Sequence, residues 1–423
     1  MTTLPKPSNL DRTQLKNGIV LLVTENSTAD VIATRIFIRA GSCYENPEKA
    51  GLANLLGAVL TKGCDGLTSL EIAERVESVG ASLSADTATD YFVLSLKTVT
   101  ADFAQILELA AKILRSPTFP EAEVEMEKRI ALQDVRLQKE QPFSVAFEQL
   151  RQIMYKNHPY ASSGLGDETT IGSLTREDLL EYYQTYFRPD NIVISISGRI
   201  SSENAQQQIN QLFGDWQPLV DTLPTTNVSI PQTQPQQVIT PQPTQQSVIM
   251  LGYLGASVDS DDYAALKLLS SYLGNGLSSR LFIELREKLG LAYDVSAFYP
   301  TRQFSSSFVV YMGTAPGNTL RALKGLRKEV DLLSINKLEE SVLQAAKNKI
   351  LGQYALGKQT NGQIAQIYGW YEIIGLGIDF DQKFQQDIAA LTNADTTEAA
   401  IKYLQEPFVS IIGQQEAISS VIA

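Results

Sequence analysis

Arg286 and Tyr293 are the residues whose types and spacing could act together chemically. They lie seven positions apart in LSSRLFIELREKLGLAY, residues 277–293. Leu281, Leu285 and Leu289 recur at helical spacing with Phe282 beside them, which predicts a helix with one apolar face. Arg280, Glu284, Arg286, Glu287 and Lys288 fill the other face. Ser278 or Ser279 can cap its start, and Gly290 suits the left-handed position after its end. Arg286 then falls in the last helical turn and Tyr293 in a following strand, so both can point at one spot. A guanidinium fork and a phenol are good donors to a carbonyl oxygen or an oxyanion. A second reading needs no chemistry: the helix dipole favours a cation near a C-terminus, and tyrosine is an ordinary strand residue.

The 423 residues suggest two to three domains, and 43% hydrophobic with 19% charged residues is a globular balance. With 35 basic and 47 acidic residues the net charge is −12, which argues against a nucleic-acid partner. Cys43 and Cys64 stand in no metal-ligand spacing and read as reduced, buried thiols. The start, MTTLPKPSNLDRTQLKNG, has no apolar signal core, and no run reaches the length of a membrane span, so a cytoplasmic location is expected. The only histidine is His158, which excludes a zinc site using two histidines of one chain.

The elements that must position these groups follow from periodicity. Residues 12–40 read as strands with a turn at Lys16-Asn17-Gly18. Gly51–Leu60 reads as a helix apolar nearly all round. Ser69–Val79 reads as an amphipathic one capped by Ser69 and ended by Gly80. A hairpin over 83–98, helices over 102–114 and 121–139, and a short apolar strand, NIVISISG, complete the first half. Six of the 17 prolines fall between Pro218 and Pro243, so 217–246 reads as an extended linker that can pair one strand near its end.

The second half repeats the first. VIATRIFIRAGS is answered by VIMLGYLGAS, and GLANLLGAVLTKG by AALKLLSSYLGNG. A repeat of this length fits duplicated domains, 1–216 and 247–423. The expected class is α+β, each domain an antiparallel sheet with helices packed on one face.

Together, LKNGIVLLV, GLANLL, HPYASSGLGD (158–167), FGDW (213–216), SSRLFIELREKLGLAY and AKNKILGQY (346–354) resemble the pitrilysin-like zinc peptidases with the inverted H-x-x-E-H motif. The two-domain branch around mitochondrial processing peptidase is the most similar. The resemblance implies a shell closed around a peptide. In active members two histidines four apart bind zinc, the glutamate between them is the base, and a distant glutamate completes the ligands. The matching positions here are Asn54, Gly57, Ala58 and Asp134, so both histidines and the base are gone. His158, far from these positions, is expected to be structural.

What the resemblance leaves intact is the pair supplied by the opposite half of the shell, which maps onto Arg286 and Tyr293. It implies a non-catalytic, substrate-binding subunit with no cofactor of its own. The partner would be a homologous subunit with an intact H-x-x-E-H motif, where zinc is expected, and the substrate an unfolded peptide. A homodimer in isolation is allowed. The alternative is a catalytically dead scaffold or peptide-binding protein. The long glycine-rich loop of the mitochondrial non-catalytic subunit is replaced here by LGNGLSS, residues 273–279, which argues against a presequence specificity.

Overall fold

Alternating apolar residues build two sheets, one from each half of the chain. The computed structural model describes residues 9–219, 221–224 and 228–422. The first eight residues of the N-terminal segment, and positions 220 and 225–227 of the proline-rich stretch, lie outside the described residues. The strands, in chain order, are β1 (Leu10–Gln14), β2 (Val20–Glu25), β3 (Val31–Ile38), the two-residue β4 (Gly63–Cys64) and β5 (Leu67–Thr68), β6 (Ser82–Thr87), β7 (Phe92–Val99), β8 (Ile192–Gly198), β9 (Gln237–Pro241), β10 (Ser247–Leu254), β11 (Asp294–Phe298), β12 (Ser307–Thr314) and β13 (Phe408–Gly413). The first sheet runs β1-β2-β8-β3-β7-β6 and the second β9-β13-β10-β12-β11.

The two orders superimpose from β2 onward: β9 takes the place of β2, β13 of β8, β10 of β3, β12 of β7 and β11 of β6. The fold is thus α+β and duplicated, as the internal repeat implied. Each sheet is antiparallel except at one pair, β2 with β8 and β9 with β13, which run parallel. Strand β9 lies inside the proline-rich stretch and belongs to the second sheet, where Val238 pairs with Ser410 and Ile239 with Ile411.

Helices of its own half cover one face of each sheet, including Leu52–Leu60 and Phe103–Arg115 on the first and Tyr263–Gly274 and Thr319–Ile335 on the second. The helix Ser69–Glu77 is capped by Thr68 rather than Ser69, through a capping box with Glu71. The opposite faces are covered by exchange. Pro142–Met154 of the first half packs on β10 and β13, and Asn361–Ile373 of the second half packs on β3 and β8. That is why all seven residues of β8 are buried: the strand has no solvent face.

Two glycines permit the exchange. A Cβ on Gly369 would lie 2.3 Å from Cε2 of the fully buried Phe37, and one on Gly252 would lie 2.5 Å from Sδ of Met154. Gly369→Ala should therefore destabilise the chain by about 1–3 kcal/mol through overpacking, despite the gain in helix propensity. Gly352 lies in the helix Glu340–Leu356 with nothing within 4 Å of its added Cβ, so Gly352→Ala should stabilise by up to ~1 kcal/mol. Urea denaturation of the two variants checks the opposite signs.

Candidate functional site

The Arg286–Tyr293 stretch is anchored from below and open above. Leu281 and Leu285 are buried in the second core, where Leu285 lies against Gly325. Arg280 forms an ion pair with the buried Glu329 on the neighbouring helix, Nε to oxygen 2.7 Å, and a second with Glu284 at 3.0 Å. The segment Phe282–Lys288 winds as a π-helix rather than the α-helix predicted. Its wider i to i+5 turns take Leu289 out of line with Leu281 and Leu285, so Leu289 is exposed and Leu291 fills the core instead. No side chain caps the π-helical segment, and Ser279 Oγ is buried without a partner, so the expected serine cap is absent. Gly290 does adopt the left-handed conformation, with φ of +62°.

Above this anchor both polar groups are exposed. The Arg286 guanidinium lies 5.0 Å from the Phe282 ring centroid. Tyr293 is 62% exposed and precedes β11, and its backbone N–H donates to the Gly313 carbonyl at 2.9 Å. Tyr293 lines a cleft of about 660 Å³ with Glu140 and Pro142 of the first half and Gln242–Gln246 of the connection. Arg286 is not among the residues lining that cleft.

The four positions matching the zinc motif cannot hold the metal. Asn54 is half-buried and lines a cavity of about 460 Å³ with Thr87, Gln138, Arg151 and Arg302. Gly57 is buried, and a Cβ there would meet Thr87 Oγ1 at 2.9 Å. Ala58 offers no donor atom, and Asp134 is exposed on the helix Glu121–Glu140. Among the described residues no three His, Cys, Asp or Glu side chains come together as a metal site. Zinc needs three protein ligands and an open position, and this set does not fit it.

Sequence reasoning missed the two arginines of that cavity. Arg151 sits on the exchanged helix with its Nε buried and unpartnered, while Nη1 donates to the Ser162 carbonyl at 3.2 Å. Arg302 comes from the second half and lies over the Tyr160 ring at 5.5 Å. Nothing local marks either residue, because the cavity forms only where the halves meet.

His158 is structural, as its local sequence suggested. Its Nδ1 accepts the Tyr160 backbone N–H at 3.0 Å, and burial lowers its pKa from 6.5 to about 4. The folded chain keeps the imidazole neutral where the unfolded chain binds a proton. Stability from this group is full above pH 6.5 and is lost as the pH falls through about 4, a loss on the order of 3 kcal/mol. The single histidine Cε1–H resonance should titrate near pH 4. Titration at the ordinary value would contradict the buried assignment. Cys43 and Cys64 are both free and buried. No described helix is long and apolar enough to cross a membrane.

Comparison with known proteins bears on this geometry. Residues 20–168 match the family described as Insulinase (Peptidase family M16), and residues 173–350 match Peptidase M16 inactive domain. A Bacillus subtilis (strain 168) protein named as an uncharacterized zinc protease is 25% identical over 84% of this chain and 87% of its own length. An Arabidopsis thaliana protein named "Probable mitochondrial-processing peptidase subunit beta" is 24% identical over 84% of this chain and 69% of its own. Among solved structures, a peptidase M16 inactive domain from Pseudomonas fluorescens superposes with a TM-score of 0.88 at 25% identity, over 96% of this chain and 98% of that one. A protease from Helicobacter pylori superposes with a TM-score of 0.90 at 22% identity, which supports the fold alone.

Proposed function

The chain belongs to the pitrilysin-like M16 peptidase family, and from that premise we propose that it is the non-catalytic, complementing subunit of a heterodimeric metalloendopeptidase. In this reading 1–216 and 247–423 are two peptidase-like domains joined through 217–246, the first carrying a degenerate zinc site. The partner is a homologous subunit that keeps H-x-x-E-H and the metal, the substrate is an unfolded peptide, and the complex is cytoplasmic. This chain contributes Arg286 and Tyr293, which donate hydrogen bonds to the peptide main chain and to the oxyanion that forms at the partner's site.

The observation that carries the reading is a contrast within the chain. The helix at Asn54 carries no histidine and no acidic residue, and a Cβ on Gly57 would meet Thr87 Oγ1 at 2.9 Å. The Arg286–Tyr293 stretch keeps two donors exposed on a buried leucine anchor, where only an outside group can use them.

Co-expression with a tagged H-x-x-E-H homologue tests the proposal. Recovery of a one-to-one complex with zinc bound to the homologue supports it. A chain that purifies free of the homologue, as monomer or homodimer, counts against it.

A further inference from the structure

A cavity of about 850 Å³ opens at the seam where the first sheet meets the start of the exchanged helix Asn361–Ile373. Both halves line it. The first half provides the faces of β3 and β7, and the second half provides residues 357–370. Among the described residues its only charged lining residues are Arg35 and Lys97, both cations, in a chain whose net charge is −12. Arg35 pairs with Ser95 and Ala33 with Lys97, so the two cations are diagonal neighbours on one face of the sheet.

Arg35 has few partners. Its Nη1 donates to the Thr34 carbonyl at 3.0 Å, and among the described residues no carboxylate lies within ion-pair distance of it. Burial lowers its pKa against the weaker pull of Asp86. A Cβ on Gly362 would come within 3.2 Å of Nη2, so the backbone of the helix start closes on the guanidinium from the other half. Gln363 and Gln366 add amide groups, and Tyr91 and Trp370 add aromatic surface. A half-buried guanidinium with no carboxylate in ion-pair contact, and only the weaker pull of Asp86, is a costly arrangement that a bound oxyanion relieves.

We propose that this cavity is a binding site for a small organic oxyanion, a carboxylate or a phosphate carried on an apolar or aromatic body. Arg35 grips the oxyanion as a fork, Lys97 supplies a second charge, and Trp370 and Tyr91 receive the body. The site is independent of the peptidase reading, since it uses neither Arg286 nor Tyr293.

Trp370 makes the test direct, because the chain has only two tryptophans and Trp216→Phe leaves one reporter. The full-length Trp216→Phe protein is titrated with phenyl phosphate, hippurate and neutral benzamide while its fluorescence is followed. A saturable change with phenyl phosphate alone assigns a phosphate ligand, and one with hippurate alone a carboxylate. A change with both assigns the shared oxyanion chemistry. Arg35→Gln should weaken binding by at least about tenfold, the value of one charge-assisted hydrogen bond. Lys97 is exposed, so Lys97→Gln should fold normally and weaken binding by about threefold, as for a screened charge. No saturable change with either anion, equal binding of benzamide, or unchanged affinity in a folded Arg35→Gln protein overturns the proposal. If Arg35→Gln does not fold by circular dichroism, unchanged affinity in Lys97→Gln overturns it.

Discussion

Asp381→Ala should cost the chain about 3–5 kcal/mol, the loss expected when one member of a buried ion pair is removed. Asp381 is 1% exposed in the helix Phe380–Ala390. Its Oδ1 accepts from the Tyr354 hydroxyl at 2.6 Å and from Lys358 Nζ, and its Oδ2 accepts from the Tyr368 hydroxyl at 3.2 Å. The Lys358 ammonium lies 4.0 Å from the Tyr354 ring centroid, and burial lowers its pKa despite the carboxylate beside it. Without Asp381 that ammonium loses its ion-pair partner, and the hydroxyls of the half-buried Tyr354 and the buried Tyr368 each lose an acceptor. Tyr368 sits on the exchanged helix that covers the first sheet, so the loss reaches the seam between the halves. The double variant Asp381→Ala, Lys358→Met should recover much of the stability, because the stranded charge is removed with its partner. Urea midpoints of the single and double variants check this. A single variant within ~1 kcal/mol of the parent would refute it.

In the proposed complex with an H-x-x-E-H homologue, Tyr293→Phe should lower kcat by roughly 100-fold with little change in KM, as for the loss of one oxyanion donor. Arg286→Ala should lower kcat and also raise KM, because a guanidinium fork positions the peptide main chain as well as the oxyanion. Neither substitution should disturb the fold, since both side chains project from an anchor made by Leu281, Leu285 and the Arg280–Glu329 pair. Assembly and the partner's zinc content should match the parent. Wild-type rates in both variants would leave the scaffold reading in place.

Much of this architecture was legible. Strands β3, β7 and β8 announce themselves by apolar runs, and the internal repeat gives the duplication. Strand β9 was harder: QVITP sits among prolines and glutamines, and its strand character comes from pairing with β13. The exchanged helices 142–154 and 361–373 were not legible as an exchange, because their partners lie on the other sheet and no local pattern records them. Leu289 followed the α-helical spacing, but the π-helical turn took it into solvent. At the candidate site, the motif points to Arg286 and Tyr293 as a proposal, whereas Arg35, Arg151 and Arg302 look like isolated charges until the halves close around them.

The central claim is that this chain completes a site it does not contain. The most direct measurement is the rate of peptide cleavage by the purified chain, by the H-x-x-E-H homologue, and by their equimolar mixture, with zinc measured in each. The account predicts cleavage by the mixture alone, with zinc in the homologue and none bound stoichiometrically to this chain. Zinc-dependent cleavage by this chain alone, or a homologue as fast alone as in the mixture, would contradict it.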